Sequence, residues 1–263
     1  MPRQFSIGRF LDLTSRDEDI LRERLAKIAA TPGIEHVEIL WEQEEFSDAF
    51  FAEMQNSLAG IRKIIHAPFI NTSLVGHRVV NQAVMALHQN VYDRALALGA
   101  EVFTIHAGHQ SVFQTNAEVN ELLLESLGQL KISPQLKPTL ENMPHGKRVI
   151  DYSTLSSLVE LEAAGNQLPD FGYTVDIGHV IQNSEVWPEW FIRNKNRIYN
   201  IHFHDAVKNG KGHLQLGTAD LNPAEFIGFL IEQGYDKFLS LEVVGESEIN
   251  KSWEWLTQLT SGL

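Results

Sequence analysis

Residues 198–213 read IYNIHFHDAVKNGKGH. Ile198, Tyr199 and Ile201 begin an apolar β run. His202, His204 and Asp205 then stand where the strand should end, and His213 follows a loop later. Side chains alternate along a strand, so His202 and His204 leave on the same side. Packing alone has little use for imidazoles and a carboxylate at the end of a hydrophobic strand. A divalent metal has an immediate use for them.

Working outward, apolar runs at 4–10, 36–42, 61–69, 101–105, 137–141, 171–176 and 237–244 join this one as candidate strands. Helical patterns separate them. Ser15 caps a stretch whose Ile20, Leu21, Leu25 and Ile28 share one face, ending near Gly33. Further helices are expected over 46–58, 75–98 (closed by Gly99), 116–130, and 151–164 (capped by Asp151 and stopped at Gly165). Three more follow: one through Trp187 and Trp190, one over 222–233 with Pro223 in its first turn, and one over 247–259. Eight strands alternating with eight helices predict an α/β fold with a parallel sheet. No linker divides residues 1–263, and the length suits a single-domain (β/α)8 TIM barrel of roughly 250 residues. Neither GxGxxG nor GxxxxGK[ST] occurs, which disfavours an open nucleotide-binding sheet.

The composition is that of a soluble globular protein, 43% hydrophobic and 21% charged. Lys and Arg number 21 against 34 Asp and Glu, a net charge of −13. With no basic run to offset that charge, nucleic acid is disfavoured as a partner. Cysteine is absent, so a bound metal must sit on nitrogen and oxygen donors. No leader or long apolar run indicates export or membrane insertion, so the expected location is cytoplasmic. A homo-oligomer is compatible with the sequence, which does not fix the oligomeric state.

In a (β/α)8 barrel the chemistry gathers at the carboxyl ends of the strands. Those ends carry His66, His106, Glu141, Asp176 with His179, His202 with His204 and Asp205, and Glu242. Any one of them is readily explained as a satisfied polar group under a loop. Glu141, Asp176, His202 and Glu242 together are not, because ionisable groups converging on a water-poor mouth repel unless a cation compensates them. His66 and His106 are candidate further ligands, and His179 and His213 divide between metal and substrate. His204 and Asp205 are expected to support the ligands from behind. Trp41 and Phe69 are candidates for an apolar wall beside the substrate, and Lys208 and Lys211 for its anionic end. Trp187 and Trp190, three residues apart, read as packing. His109 and His145 are given the smaller functional share.

The motifs HAPF (66–69), IHAG (105–108), LEN (140–142), VDIGH (175–179), IHFHD (201–205) and LEVV (241–244) together resemble the xylose isomerase-like TIM-barrel superfamily. It joins sugar isomerases and epimerases, inosose dehydratase-type enzymes and endonuclease IV-type AP endonucleases. For the epimerase branch the resemblance implies one divalent ion (Mn, Zn, Mg or Co) on Glu141, Asp176, His202 and Glu242. The two glutamates double as the acid/base pair, and His179 contacts substrate oxygens. For the endonuclease branch it implies further ions on His66 and His106, and on His179 and His213. That third site also takes an Asp two residues before the last His, where this chain has Lys211-Gly212-His213. One ion, with room for a second, is therefore expected. The function implied is a metal-dependent isomerase or epimerase of a small sugar or a sugar-like polyol or keto acid, a dehydratase sharing its first step. The alternatives are an AP endonuclease-like phosphodiesterase and a sugar-binding barrel without catalysis.

Overall fold

The computed structural model describes residues 2–43, 45–146 and 151–261. Eight parallel strands close into one barrel: β1 (Ser6–Asp12), β2 (His36–Leu40), β3 (Arg62–His66), β4 (Val102–Ile105), β5 (Lys137–Glu141), β6 (Gly172–Asp176), β7 (Ile198–Phe203) and β8 (Phe238–Leu241). Each pairs with its neighbours in the chain, and β8 returns to β1 through Ser6 opposite Phe238. The chain is thus a (β/α)8 barrel, as the alternation of apolar runs and helical patterns predicts.

Alternation along each strand sorts its side chains. On β2, Val37 and Ile39 join the apolar core, while His36 and Glu38 take part in a buried polar network. The apolar layer is completed by the surrounding helices, as with Leu21, Leu25 and Ile28 of α1 (Glu18–Ala29). Each such side chain contributes about 2 kcal/mol of burial. The remaining helices are α2 (Asp48–Ser57), α3 (Arg78–Ala97), α4 (Asn116–Leu127), α5 (Leu158–Gln167), α6 (Ile177–Gln182), α7 (Pro188–Asn194), α8 (Pro223–Glu232) and α9 (Glu246–Ser261).

Three local expectations are corrected. Asp151 does not cap a helix; residues Asp151–Ser153 pair antiparallel with His109–Ser111 in a small ribbon beside the barrel. Leu155 then turns at φ 59°, and Ser157 caps α5, accepting the Glu160 N–H. A pairing partner about forty residues away leaves no mark on a local pattern. The stretch after β6 is two short helices rather than one, with Ser184 at φ 57° between them. α1 is capped by Asp17, two residues after Ser15, whose hydroxyl accepts the Asp17 N–H.

Candidate active site

The ligand-type side chains stand at the carboxyl rim of the barrel. His66, Glu141 and Asp176 close β3, β5 and β6; His202 is next to last in β7; His106 and Glu242 directly follow β4 and β8. The β6–β7 register sets Asp176 opposite His202. Above them opens a cavity of about 670 Å³ whose lining includes His66, His106, Glu141, His179, His213 and Glu242. That volume lies in the range of small-molecule sites.

His202 stands at the centre. Its Nδ1 lies 3.0 Å from Glu242 Oε2, 3.2 Å from Glu141 Oε1 and 4.0 Å from Asp176 Oδ2. One nitrogen carries at most one proton and cannot satisfy three carboxylates. Glu242 Oε2 is buried without a hydrogen-bond partner among the described residues. One donor atom each from Glu141, Asp176, His202 and Glu242 lies within 4.8 Å of all the others. A hard or borderline divalent cation would satisfy this donor set and offset its repulsion. These four residues therefore fit a metal ion.

A second group shares Glu141. His106 Nε2 lies 2.9 Å from Glu141 Oε2 and 3.1 Å from His66 Nε2. His66 Nδ1 donates to the Ala67 carbonyl at 3.0 Å, which turns its Nε2 toward the group. Glu141 thus addresses His202 through one oxygen and His106 through the other.

A third cluster joins His179, His204 and His213. The His204 ring stacks on His213 at 4.2 Å, and its Nε2 lies 3.0 Å from Asp176 Oδ1. Its Nδ1 faces the Asp205 carbonyl at 3.0 Å and the His213 backbone nitrogen at 2.8 Å, so protein partners occupy both ring nitrogens. A Cβ at Gly178 would fall 1.9 Å from the His204 ring, so only glycine lets α6 begin this close to it. His179 Nδ1 lies 2.9 Å from the Asn142 carbonyl and 3.2 Å from Asp176 Oδ2.

The electrostatics follow this geometry. Burial pushes Glu141 upward, but His202 and His106 outweigh it and hold the carboxyl well below its usual range. Burial acts likewise on Glu242, and His202 with His213 bring it to about 2. Asp176 is lowered by His179 and His204 against the same penalty. Among the imidazoles, burial lowers His202 but Glu141, Glu38 and Glu242 raise it well above its ordinary value. His204 rises to about 9 because Asp176 outweighs its burial. For His179 burial prevails, and its value falls.

Two side chains hold the frame. Asn142 accepts the Asp176 N–H at 2.8 Å and donates to the Asp176 carbonyl at 3.0 Å, locking the ends of β5 and β6 together. The Asp205 carboxylate accepts the N–H groups of Ala206, Thr218, Ala219 and Leu221, organising the loop that carries His213.

The other sequence candidates divide. Phe69 lines the cavity, its ring 5.2 Å from both His66 and His106. Trp41 does not reach the mouth: it is fully buried, packed on Phe46 at 4.8 Å, with its indole N–H donated to the Gln43 carbonyl. A large aromatic just past a strand end is equally suited to the core behind it, and here the core takes it. Lys208 and Lys211 are exposed and lie outside the cavity lining, in the loop tip where Val207 N–H meets the Lys211 carbonyl. His109 is at the cavity edge, whereas His145 is not part of its lining. Trp187 packs on Phe226 and Phe229, and Trp190 on Tyr173. Glu38 was not singled out by sequence reasoning, and Asn142 entered it only as the last residue of the LEN motif. For Glu38 a signal existed, a lone acid inside the apolar strand HVEIL.

The sequence profile of the family described as Xylose isomerase-like TIM barrel matches residues 25–259. Among solved structures, the fold is similar to a D-tagatose 3-epimerase-like protein, with a TM-score of 0.81 and 22% identity over 98% of this chain and 97% of that one. It is also similar to D-allulose 3-epimerase from Methylomonas sp. in complex with D-allulose, with a TM-score of 0.77 and 15% identity, covering 98% of both chains. An AP endonuclease, family 2, from Brucella melitensis is similar as well, with a TM-score of 0.74 and 15% identity over 97% of this chain and 99% of that one. At these identities the structural likeness is one of fold.

Proposed function

From the premise that the chain belongs to the xylose isomerase-like TIM-barrel family, we propose that it is a divalent-metal-dependent isomerase or epimerase of a small keto sugar or sugar-like polyol. The observation that carries this reading is the convergence of Glu141, Asp176 and Glu242 on His202 Nδ1, with Glu242 Oε2 unpartnered. The ion would be held by Glu141, Asp176, His202 and Glu242. When bound, it supplies Lewis-acid polarisation of a substrate carbonyl and the adjacent hydroxyl.

The acid/base work falls to the two glutamates. Both line the cavity, but Glu242 is 21% exposed whereas Glu141 is 1% exposed. We assign the first proton abstraction, alpha to the carbonyl, to the Glu242 carboxylate. Both carboxyls are held ionised near neutral pH, so a base is available on either side of the exchange. Removing that proton gives an enediolate. Delivery of a proton by Glu141 to the opposite face, drawn from solvent while Glu242 gives up its own to solvent, gives the epimer, and return of the Glu242 proton to the neighbouring carbon gives the isomer. Loss of a β-hydroxyl from the same intermediate would instead dehydrate the substrate. His179 and His213 line the cavity beside Glu242 and orient substrate oxygens, and Phe69 excludes water from one side.

The second reading is a two-metal phosphodiesterase, favoured by the His66–His106–Glu141 group. The net charge of −13 stands against it. The test incubates the Mn²⁺- or Co²⁺-loaded protein with a panel of keto sugars in D₂O. Deuterium entering at the carbon alpha to the carbonyl, and lost on chelation, is the expected result. Cleavage of abasic duplex DNA with no exchange on any sugar would overturn the proposal in favour of the second reading.

A further inference from the structure

We propose that Glu38 is the positioning residue for His202, fixing which imidazole nitrogen faces the candidate metal, and that a buried hydrogen-bond chain across the barrel interior holds Glu38 in turn. The inference rests on reading Glu141, Asp176, His202 and Glu242 as the ligand set.

Glu38 Oε1 lies 2.9 Å from His202 Nε2, on the side of the ring away from the carboxylates that face Nδ1. A carboxylate oxygen in this position accepts, so the contact places a proton on Nε2, and Nδ1, turned to the other ligands, is the nitrogen left to give a metal its lone pair. The other oxygen, Glu38 Oε2, accepts from Asn200 Nδ2 at 2.8 Å. That bond settles the orientation of the Asn200 amide, and the direction of every later bond follows. Asn200 Oδ1 accepts from the Ser240 hydroxyl at 3.1 Å. Ser240, having spent its proton, accepts from His36 Nε2 at 3.0 Å. His36 Nδ1 then carries the lone pair and accepts from the Ser6 hydroxyl at 2.9 Å.

The chain crosses β1, β2, β7 and β8 in one consistent sense, and all its members are buried. Burial also lowers His36 to about 3, so it stays neutral with one N–H and one lone pair, as its place requires. Gly8 makes the room: a Cβ there would lie 2.2 Å from the His36 carbonyl oxygen and 2.5 Å from its ring. Phe10 closes the remaining side of His202, edge-on at 5.1 Å. A fully buried carboxylate is costly unless its bonds are all made. Here both oxygens are used, one to orient His202 and one to be oriented.

The experiment titrates Co²⁺ into wild type and Glu38→Gln, following the visible absorption bands and, separately, the thermal unfolding of the chelated proteins. Glutamine keeps the volume and an acceptor oxygen but loses the charge. The expected result is Co²⁺ affinity weakened about 10- to 100-fold, the range for loss of a carboxylate behind a ligating histidine, with altered bands and little change in the chelated protein's melting temperature. Affinity within twofold of wild type, or a lower melting temperature with unchanged affinity and bands, would make Glu38 a merely structural residue and overturn the assignment. If the variant does not fold, ¹⁵N-resolved imidazole spectra of Zn²⁺-loaded wild type decide. A protonated Nε2 with Nδ1 coordinated supports the proposal, and the reverse pattern overturns it. Wild type that takes up no metal removes the ligand-set reading as well, an outcome distinct from a bound metal indifferent to Glu38.

Discussion

At the level of single residues, the site is a matter of which nitrogen and which oxygen face which way. Glu141 turns one oxygen to His202 and the other to His106. Glu242 turns Oε2 to His202 and is the more exposed of the two glutamates, which makes it the readier base. Replacing Glu242 with Gln is expected to lower kcat about 10²- to 10⁴-fold, the contribution of a positioned general base. Steady-state kinetics on whichever keto sugar exchanges deuterium will check it, and a loss under tenfold would move the base elsewhere. The same contacts set a pH window for the chelated protein. Glu242 falls from 4.5 to about 2 on folding, so its stabilisation is present above pH 4.5 and is lost as pH falls through 2. His204 rises from 6.5 to about 9, so its stabilisation is full below pH 6.5 and is lost as pH climbs through 9. Thermal melts across pH 3 to 10 should therefore fall away at both ends. A flat alkaline limb would contradict the His204–Asp176 pairing.

At the level of elements, the loop after β7 depends on one side chain. Four backbone N–H groups converge on the Asp205 carboxylate, and His213 rides on the loop they define. Asp205→Ala would strip all four donors of their partner. The expected loss is about 3 kcal/mol or more in urea unfolding, together with faster proteolysis within residues 206–221. A loss under about 1 kcal/mol would mean that other contacts hold the loop. The loop was legible as a loop, since Asn209, Gly210 and Gly212 break any pattern, but the role of Asp205 within it was not. Its hydrogen-bond partners are up to sixteen residues away and present only backbone atoms, which no side-chain pattern reports. The ribbon of His109–Ser111 with Asp151–Ser153 was illegible for the same reason. β-ladder partners are chosen by tertiary proximity, and three-residue strands carry no period of their own.

Over the whole molecule, the closed barrel brings six strand ends into one mouth, and a ligand bound there ties together residues from 66 to 242. A metal held only by the folded site should stabilise the fold by about 2.7 kcal/mol at a hundredfold excess over its Kd. For a domain near this size that raises Tm by roughly 5–10 °C. Calorimetry of chelated protein with and without Mn²⁺, Co²⁺ or Zn²⁺ will measure it, and no shift with any of them would count against a site built on Glu141, Asp176, His202 and Glu242. Among the described residues no helix is long and apolar enough to cross a membrane. The order of apolar runs and amphipathic stretches by itself determined the eightfold barrel, because strand and helix periods are local properties. It also determined which ionisable residues stand at the rim, because they end strands. Only the tertiary structure decided that Trp41 turns into the core while Phe69 faces the cavity, and that Lys208 and Lys211 lie outside it. Only it joined Glu38 to His202, 164 residues apart. Such pairings depend on barrel closure and strand register, which bring together residues that no local pattern relates.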